Sequence, residues 1–365
     1  MIKIKDISNW LETIAPLSLQ ESYDNCGLLT GTPDSDVKGV LVSLDVTEEV
    51  VEEALSKNCN LIIAHHPVIF KGLKKLTGSN YVERTIIKAI KNDISIYAIH
   101  TNLDNVKNGV NAKICEVLGL KDLKILSPKK NNLKKLITFI PLQDSDRVIK
   151  AIHDAGAGNI GNYSECSFQV EGTGTFKPNE LADPAIGKAN ELEKVNEKRV
   201  EVIFPSWLES RVLKALFEAH PYEEVAYDLV VLDNENKETG SGMTGILDEP
   251  MDAEGFIKYL KRKMNLSVVR HTILTGKKIR KIAVCGGSGS SLLKEAIRDG
   301  AEAFVTADFK YHEFFDAENK IVIADIGHYE SEVYTKDLIL ELLKKKFANI
   351  ALVLSETVTN PIRYT

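Results

Sequence analysis

Apolar residues along this chain fall in short unbroken runs, separated by longer stretches whose apolar positions recur every three to four residues. GVLVSLD (39–45), NLIIAHH (60–66) and ISIYAIH (94–100) are β-branched runs without polar alternation, which marks strands buried on both faces. The segments 47–57, 82–91 and 108–118 between and after them carry helical spacing. Strands that alternate with helices of roughly 10–15 residues predict a parallel sheet covered on both sides. Residues 1–128 are therefore expected to be α/β.

The pattern changes after PKKNNLKK (128–135), which is polar and turn-rich. Residues 134–233 read as strand (LITFIPL), helix (145–155), strand (166–173), a Pro/Gly-rich loop, strand (198–204), helix (207–219) and strand (225–232). This β-α-β-β-α-β order predicts an inserted ferredoxin-like α+β domain. DNENKETGSG (233–242) reads as a charged linker. Beyond it the α/β pattern resumes with KIRKIAVCGGSGSS (278–291), a helix to Asp299, AFVTAD (303–308), KIVIADIGHYESE (320–332) and IALVLS (350–355). The expected organisation is an α/β core with a mixed or parallel sheet, split into halves 1–128 and 237–365 around an insert at 129–236.

Composition narrows the class without altering this outline. At roughly 100–200 residues per domain, 365 residues require two or three domains. Lys and Arg total 46 against 52 Asp and Glu, a net charge of -6, which gives no field for a phosphate backbone and disfavours nucleic acid as a partner. Cys26, Cys59, Cys115, Cys166 and Cys285 form no CxxC pair and read as reduced thiols. Acidic residues interrupt the N-terminal MIKIKDISNWLETIAP, and no apolar run reaches the roughly 18–20 residues that span a bilayer. The expectation is a cytoplasmic protein with no membrane partner.

Candidate chemistry gathers at three strand ends. His65 and His66 close one buried strand and are stopped by Pro67. In open α/β sheets, ligands bind outside the carboxyl ends of strands. HTNLDN (100–105) follows another strand and offers Asp104, with His100 and Asn102 as supporting partners. GHYESE (327–332) follows a third. There His328 and Glu332 are spaced i, i+4 and project from one face if a helix begins, whereas Glu330 falls on a solvated face. Asp325 is expected to orient His328 through its second ring nitrogen. Five N/O donors exceed what one tetrahedral ion needs and suit two divalent ions that share a carboxylate. Zinc is the first expectation, and manganese or iron suits the same donors.

SYDNCGLLTG (22–31), IIAHHPVIFKG (62–72), AIHTNLD (98–104), CGGSGSS (285–291), DIGHYESE (325–332) and ETVTNPIRY (356–364) together resemble the GTP cyclohydrolase I type 2 family, also called NGG-interacting-factor-like. The resemblance covers nearly all of 1–128 and 240–365. The middle segment is similar to the insert of longer bacterial members, which is akin to copper-tolerance-A and PII-type trimeric signalling domains. The resemblance implies a dinuclear metal site held by His65, His66, Asp104, His328 and Glu332, with Glu332 bridging. It also implies a toroidal homohexamer. The expected pairing sets His66 with Asp104 and His65 with His328. Tyr23 stands where the family often has Trp, and Ala307 where it often has Gly.

Other features leave alternatives open. CGGSGSS is either a tight turn near the metal site or a phosphate cradle, although it lacks GxGxxG and the P-loop lysine. His312, in TADFKYHE, is either a proton shuttle or a surface histidine. HPYEE (220–224) is either a metal or ligand site or a solvated turn, and Cys285 reads as buried wall rather than nucleophile. Two functional readings follow. One is a metal-dependent hydrolase of a small anionic compound, nucleotide-like or phosphorylated, with His312 or His100 moving protons. The other is a non-catalytic metal-binding, metal-delivery or ligand-sensing protein.

Overall fold

The computed structural model describes residues 1–365 except Thr275. The chain divides into two compact units, Met1–Pro128 with Glu238–Thr365, and Lys129–Lys237. In chain order the strands are β1 (Gly27–Thr30), β2 (Gly39–Ser43), β3 (Leu61–Ala64), β4 (Ser95–Ala98), β5 (Lys121–Lys129), β6 (Leu133–Pro141), β7 (Phe168–Phe176) and β8 (Glu193–Pro205). They continue as β9 (Tyr227–Leu232), β10 (Asn236–Met251), β11 (Arg270–His271), β12 (Ile279–Ser288), β13 (Ala303–Ala307), β14 (Val322–Asp325) and β15 (Ala351–Leu354).

The first unit contains two mixed sheets, ordered β1-β4-β3-β2-β15 and β11-β14-β13-β12-β10-β5. The fold is α/β. Strands β2, β3 and β4 are buried along their whole length, as their unbroken apolar runs require. The first sheet is not wholly parallel, because β1 runs antiparallel to β4 at its edge. Nor do the two halves of the sequence keep to separate sheets. The late strand β15 pairs in parallel with β2, so residues from both ends of the chain complete one sheet.

One apolar core joins the two sheets, with Val40, Ile63 and Tyr97 from the first and Val284, Val305 and Ala324 from the second. Helices Ile4–Ile14, Val110–Leu118, Ala253–Lys263 and Thr335–Lys346 contribute Leu11, Ile114, Phe256 and Ile339 to it. Helices Glu48–Ser56 and Tyr81–Lys91 cover the outer face of the first sheet. Thr47 and Asn80 accept at their N-termini from Val50 N and Glu83 N, which satisfies donors the first turn leaves open.

The second unit is an antiparallel sheet ordered β7-β8-β6-β9 with helices Ser145–Asp154 and Glu209–Ala219. Leu136, Ile140, Val200, Val202 and Phe204 pack against Val148, Ile152, Val212 and Leu216 of those helices. The charged segment 233–242 is not a linker: from Asn236 onward it is the start of the 16-residue strand β10. Its opening residues are polar, with Lys237 and Glu238 exposed and Asn236 and Thr239 buried. Among the described residues no helix is long and apolar enough to cross a membrane.

Candidate metal centre

Three strand ends of the first unit converge. His65 and His66 follow β3, and their amides extend its ladder by donating to Ser43 O and Leu44 O. His100 follows β4 and precedes a short helix, Thr101–Asp104, that the sequence pattern does not announce. That single turn presents Asp104. After β14 the chain reverses at Gly327, whose φ is +91°, and helix His328–Glu332 begins. That positive φ favours glycine, and a Cβ at Gly327 would also displace Glu330, lying 2.3 Å from its Oε2.

Glu332 is the hub. Its Oε2 lies 2.9 Å from His66 Nε2 and 3.0 Å from His328 Nε2. Its Oε1 faces His65 Nε2 at 3.8 Å, and His65 Nε2 is 3.7 Å from Asp104 Oδ1. Two of the groupings that could hold an ion among the described residues share Glu332: His66, His328, Glu332 and His65, Asp104, Glu332. This reverses the expected pairing of His66 with Asp104 and His65 with His328. His65 and Glu332 are buried, whereas the His328 side chain is 38% exposed, so the cluster opens on the His328 side.

Each imidazole is fixed through its other nitrogen. His65 Nδ1 is 2.8 Å from the carbonyl of Ile99. A carbonyl only accepts, so Nδ1 carries a proton and Nε2 is the nitrogen that faces inward, free to offer its lone pair whenever the ring is neutral. His66 Nδ1 meets Asp45 Oδ1 at 2.7 Å, His328 Nδ1 meets Asp308 Oδ2 at 2.6 Å, and His100 Nδ1 meets Asp24 Oδ1 at 2.8 Å. Asp45 also accepts from Thr359, which ties the C-terminal segment to the site. Backing by a carboxylate or carbonyl sets tautomer and basicity in metal-binding histidines. Asp325 does not take the orienting role expected of it. Its carboxylate accepts from Phe309 N and Gly327 N and pairs with Arg270. Glu330 is not simply solvated either, since it accepts from Asn360.

Two buried atoms in the cluster, His65 Nε2 and Asp104 Oδ1, have no hydrogen-bond partner. Each such orphan costs about 1–3 kcal/mol unless something fills the gap. A cation between them would meet both. The glycine turn leaves room for the hub: Gly287 has φ of +62°, and a Cβ there would sit 2.5 Å from Glu332 Oε1. The donors, the orphans and this cradle fit a divalent ion.

Burial and neighbouring charges set the protonation of the cluster. Burial raises the Asp104 carboxyl, and the Glu332 charge adds to it, to about 7. Burial opposes ionisation of Glu332 too, but His328, His65 and His66 outweigh it and hold Glu332 well below the usual carboxylate range. For His66, burial favours the neutral ring, yet Asp45 and Glu332 prevail and raise it to about 10. His328 rises to about 9 by the same balance, with Glu332 and Asp308 the favourable partners. Burial, then Asp104 and Glu332, push the Cys285 thiol far up, which keeps it protonated as wall.

His100 lies against the cluster, 5.1 Å from the His65 ring and 5.2 Å from the His66 ring by centroids, and with them forms a third metal-capable grouping. His312 does not join. It is exposed in the 3-10 turn Tyr311–Ala317, where it packs on Tyr311 and Phe315 and belongs to none of the metal-capable groupings. Tyr23 is 69% exposed and Ala307 is buried at the end of β13. Asp24, Asp45, Asp308 and the Ile99 carbonyl are the supporting groups that sequence reasoning missed.

An α/β protein with a His/carboxylate cluster able to hold metal at the carboxyl ends of its strands is the class this geometry defines. The chain belongs to the Duf34/NIF3 (NGG1p interacting factor 3) family, whose model matches residues 2–361. It is 41% identical to a "GTP cyclohydrolase 1 type 2 homolog" of Halalkalibacterium halodurans, over 97% of this chain and 96% of the relative. A protein of the same description from Bacillus subtilis is 38% identical, over 99% and 98% of the two chains. The crystal structure of a Bacillus cereus protein related to NIF3 superposes with a TM-score of 0.88 at 40% identity, covering 100% of this chain and 99% of the other.

Proposed function

We propose that this chain holds two divalent metal ions and uses them to hydrolyse a small anionic compound, nucleotide-like or phosphorylated. The observation that carries the reading is the division of Glu332: Oε2 serves His66 and His328, while Oε1 faces His65 and Asp104. A carboxylate that offers one oxygen to each of two donor sets is what a bridging ligand requires. His65 and Asp104 complete one set, and His66 and His328 the other. Zinc suits these nitrogen and oxygen donors, as do manganese and iron.

When bound, the ions supply Lewis acidity and lower the pKa of water at the site. Two dications against two carboxylates leave a local charge of about +2, which favours an anionic substrate. His100, oriented by Asp24, is the chain's own group for moving a proton beside the cluster, through its Nε2. His312 has no part in this reading, because its surroundings are Tyr311 and Phe315. The description borne by the relatives supports a cyclohydrolase-type reaction and makes GTP one substrate to test. The reading further includes a cytoplasmic homohexamer in which residues 129–236 act as an inserted domain.

The test pairs elemental analysis of chelator-free protein with a hydrolysis screen of nucleotides and phosphate esters, using the metal-depleted protein as control. Metal-dependent turnover that vanishes in Asp104→Ala is the expected result. Turnover that survives complete metal removal contradicts it. No turnover, with stoichiometric transfer of metal to an acceptor, would instead identify a delivery protein. Light scattering at graded concentration tests the hexamer.

A further inference from the structure

The Lys129–Lys237 unit has a cavity of about 690 Å3 on the face of its sheet that the helices leave bare. Cross-strand partners share a face. The register Gly172↔Glu197, Val170↔Arg199 and Phe139↔Arg199 therefore sets these residues on the side opposite Leu136, Val200 and Val202, which pack on the helices. The volume lies in the usual range for small-molecule sites, about 300–1,000 Å3.

Glycine makes the floor. Gly172 and Gly174 leave β7 without side chains, and a Cβ at Gly174 would stand 2.1 Å from Glu197 Oε2. The Glu197 side chain thus lies across bare backbone, and the residue is only 8% exposed. Its Oε1 accepts from the Tyr222 hydroxyl at 3.0 Å. Tyr222 is aimed by the HPYEE corner: His220 Nε2 donates to Phe139 O at 3.0 Å, and His220 Nδ1 accepts from Tyr222 N at 3.1 Å. Both ring nitrogens are spoken for, so His220 has none to give a metal. Among the described residues no metal-capable grouping falls in this unit.

The remaining walls are largely apolar, with Phe139, Phe176, Val170 and Ile186 among them. The loop that supplies Ile186 is tied across the opening where Asp183 N donates to Glu223 Oε1 at 3.0 Å. The lining residues of charged type are Glu171, Glu197, Glu223 and Glu224 against Lys177 and Arg199. Arg199 is already paired, its Nη2 lying 2.9 Å from Glu201 Oε1. A buried carboxylate among aromatic walls repels anions and is stabilised by a cation brought to it.

We propose that this cavity binds a small organic cation, a primary amine or guanidinium on an apolar body, with Glu197 as its counter-charge and Tyr222 holding Glu197 in place. The inference stands apart from the metal reading, since none of its residues belongs to that cluster. Calorimetric titration of the full-length, metal-loaded protein tests it, with phenethylamine, agmatine and spermidine as probes. 2-Phenylethanol and phenylacetate serve as the neutral and anionic matches of phenethylamine. The expected result is saturable binding of at least one amine. The neutral match should bind about tenfold more weakly or worse, as loss of a charge-assisted hydrogen bond predicts, and the anion should not bind. Glu197→Gln should weaken the amine by about tenfold or more. Ile186→Trp, a loop change that fills the cavity, should abolish binding while Tm and metal content hold. No binding of any of the three amines up to about 1 mM would overturn the proposal. So would binding indifferent to both substitutions. Concentration-dependent protection of residues 168–176 from hydrogen exchange, with no competition by amines, would show that a second copy covers the face instead.

Discussion

His220 and the histidines around Glu332 are the same residue type in opposite states. In the second unit His220 is buried with both nitrogens engaged, one donating to Phe139 O and the other accepting from Tyr222 N. In the first unit His65 is buried more deeply, with Nδ1 engaged and Nε2 left without a partner. The difference lies in what stands behind each ring. Where an acceptor holds Nδ1 and carboxylates face Nε2, the ring is poised as a ligand. Where the chain uses both nitrogens, the ring is a structural corner. Burial alone separates nothing, since both residues are buried.

The sharpest way to break that contrast is Glu332→Ala. Both groupings contain Glu332, so metal content is expected to fall from two ions per chain to near none, read by elemental analysis. His328→Ala should empty mainly one site. Equal loss of a single ion in both variants would count against the bridge.

Acidity gives the next largest effect. His66 and His328, raised to about 10 and 9, hold protons at neutral pH in the metal-free protein. Loading must displace them, so apparent affinity should rise by up to about a hundredfold per pH unit below those values. Calorimetry in buffers of different ionisation enthalpy counts the protons released. Stability should slope the other way without metal. A pKa raised on folding stabilises fully below the unfolded value and loses that contribution as pH rises through the folded one. For His66 the loss runs from about 6.5 to about 10, so metal-free Tm should decline across that window while loaded protein is held by its metal.

Removing the backing carboxylates should have a smaller effect. Asp308→Ala or Asp45→Ala is expected to cost about 10–100-fold in metal affinity without loss of the ligands themselves. An unchanged affinity in both would show that Nδ1 backing is not what prepares these rings. The smallest effect on metal is expected from His220→Ala. Metal content should not change, while the buried bonds lost should destabilise the protein by about 1–3 kcal/mol, read by denaturant titration.

The residues of the candidate cluster were legible because each follows an apolar run directly: HH after LIIA, HTNLD after SIYAI, GHYESE after IVIADI. Strand ends announce themselves in sequence, and parallel pairing brings the ends of β3 and β4 together. That β14, from the second sheet, meets them depends on the packing of the two sheets on one core. The backing groups were not legible. Asp24, Asp45 and Asp308 stand 76, 21 and 20 residues from the histidines they hold, in contacts made only by packing. Asp325 looked closer to His328 in sequence, but it ends β14 and is spent on the Phe309 and Gly327 amides. His312 misled for the converse reason: a histidine after a strand has a site's spacing whether or not the next turn carries it outward. The strand β10 was hidden because NKETGSG opens with four consecutive polar residues and is rich in turn residues. The expected pairing of His65 with His328 differs from the geometric groupings because these depend on which Glu332 oxygen each ring meets, and no spacing encodes that.

The most direct measurement is diffraction from metal-loaded crystals at the absorption edge of the bound metal. Two anomalous peaks per chain are predicted, about 3.5–4 Å apart as in other two-ion sites, both touching Glu332. His65 and Asp104 should meet one, His66 and His328 the other. A single peak at saturating metal, or two peaks of which only one contacts Glu332, would contradict the account.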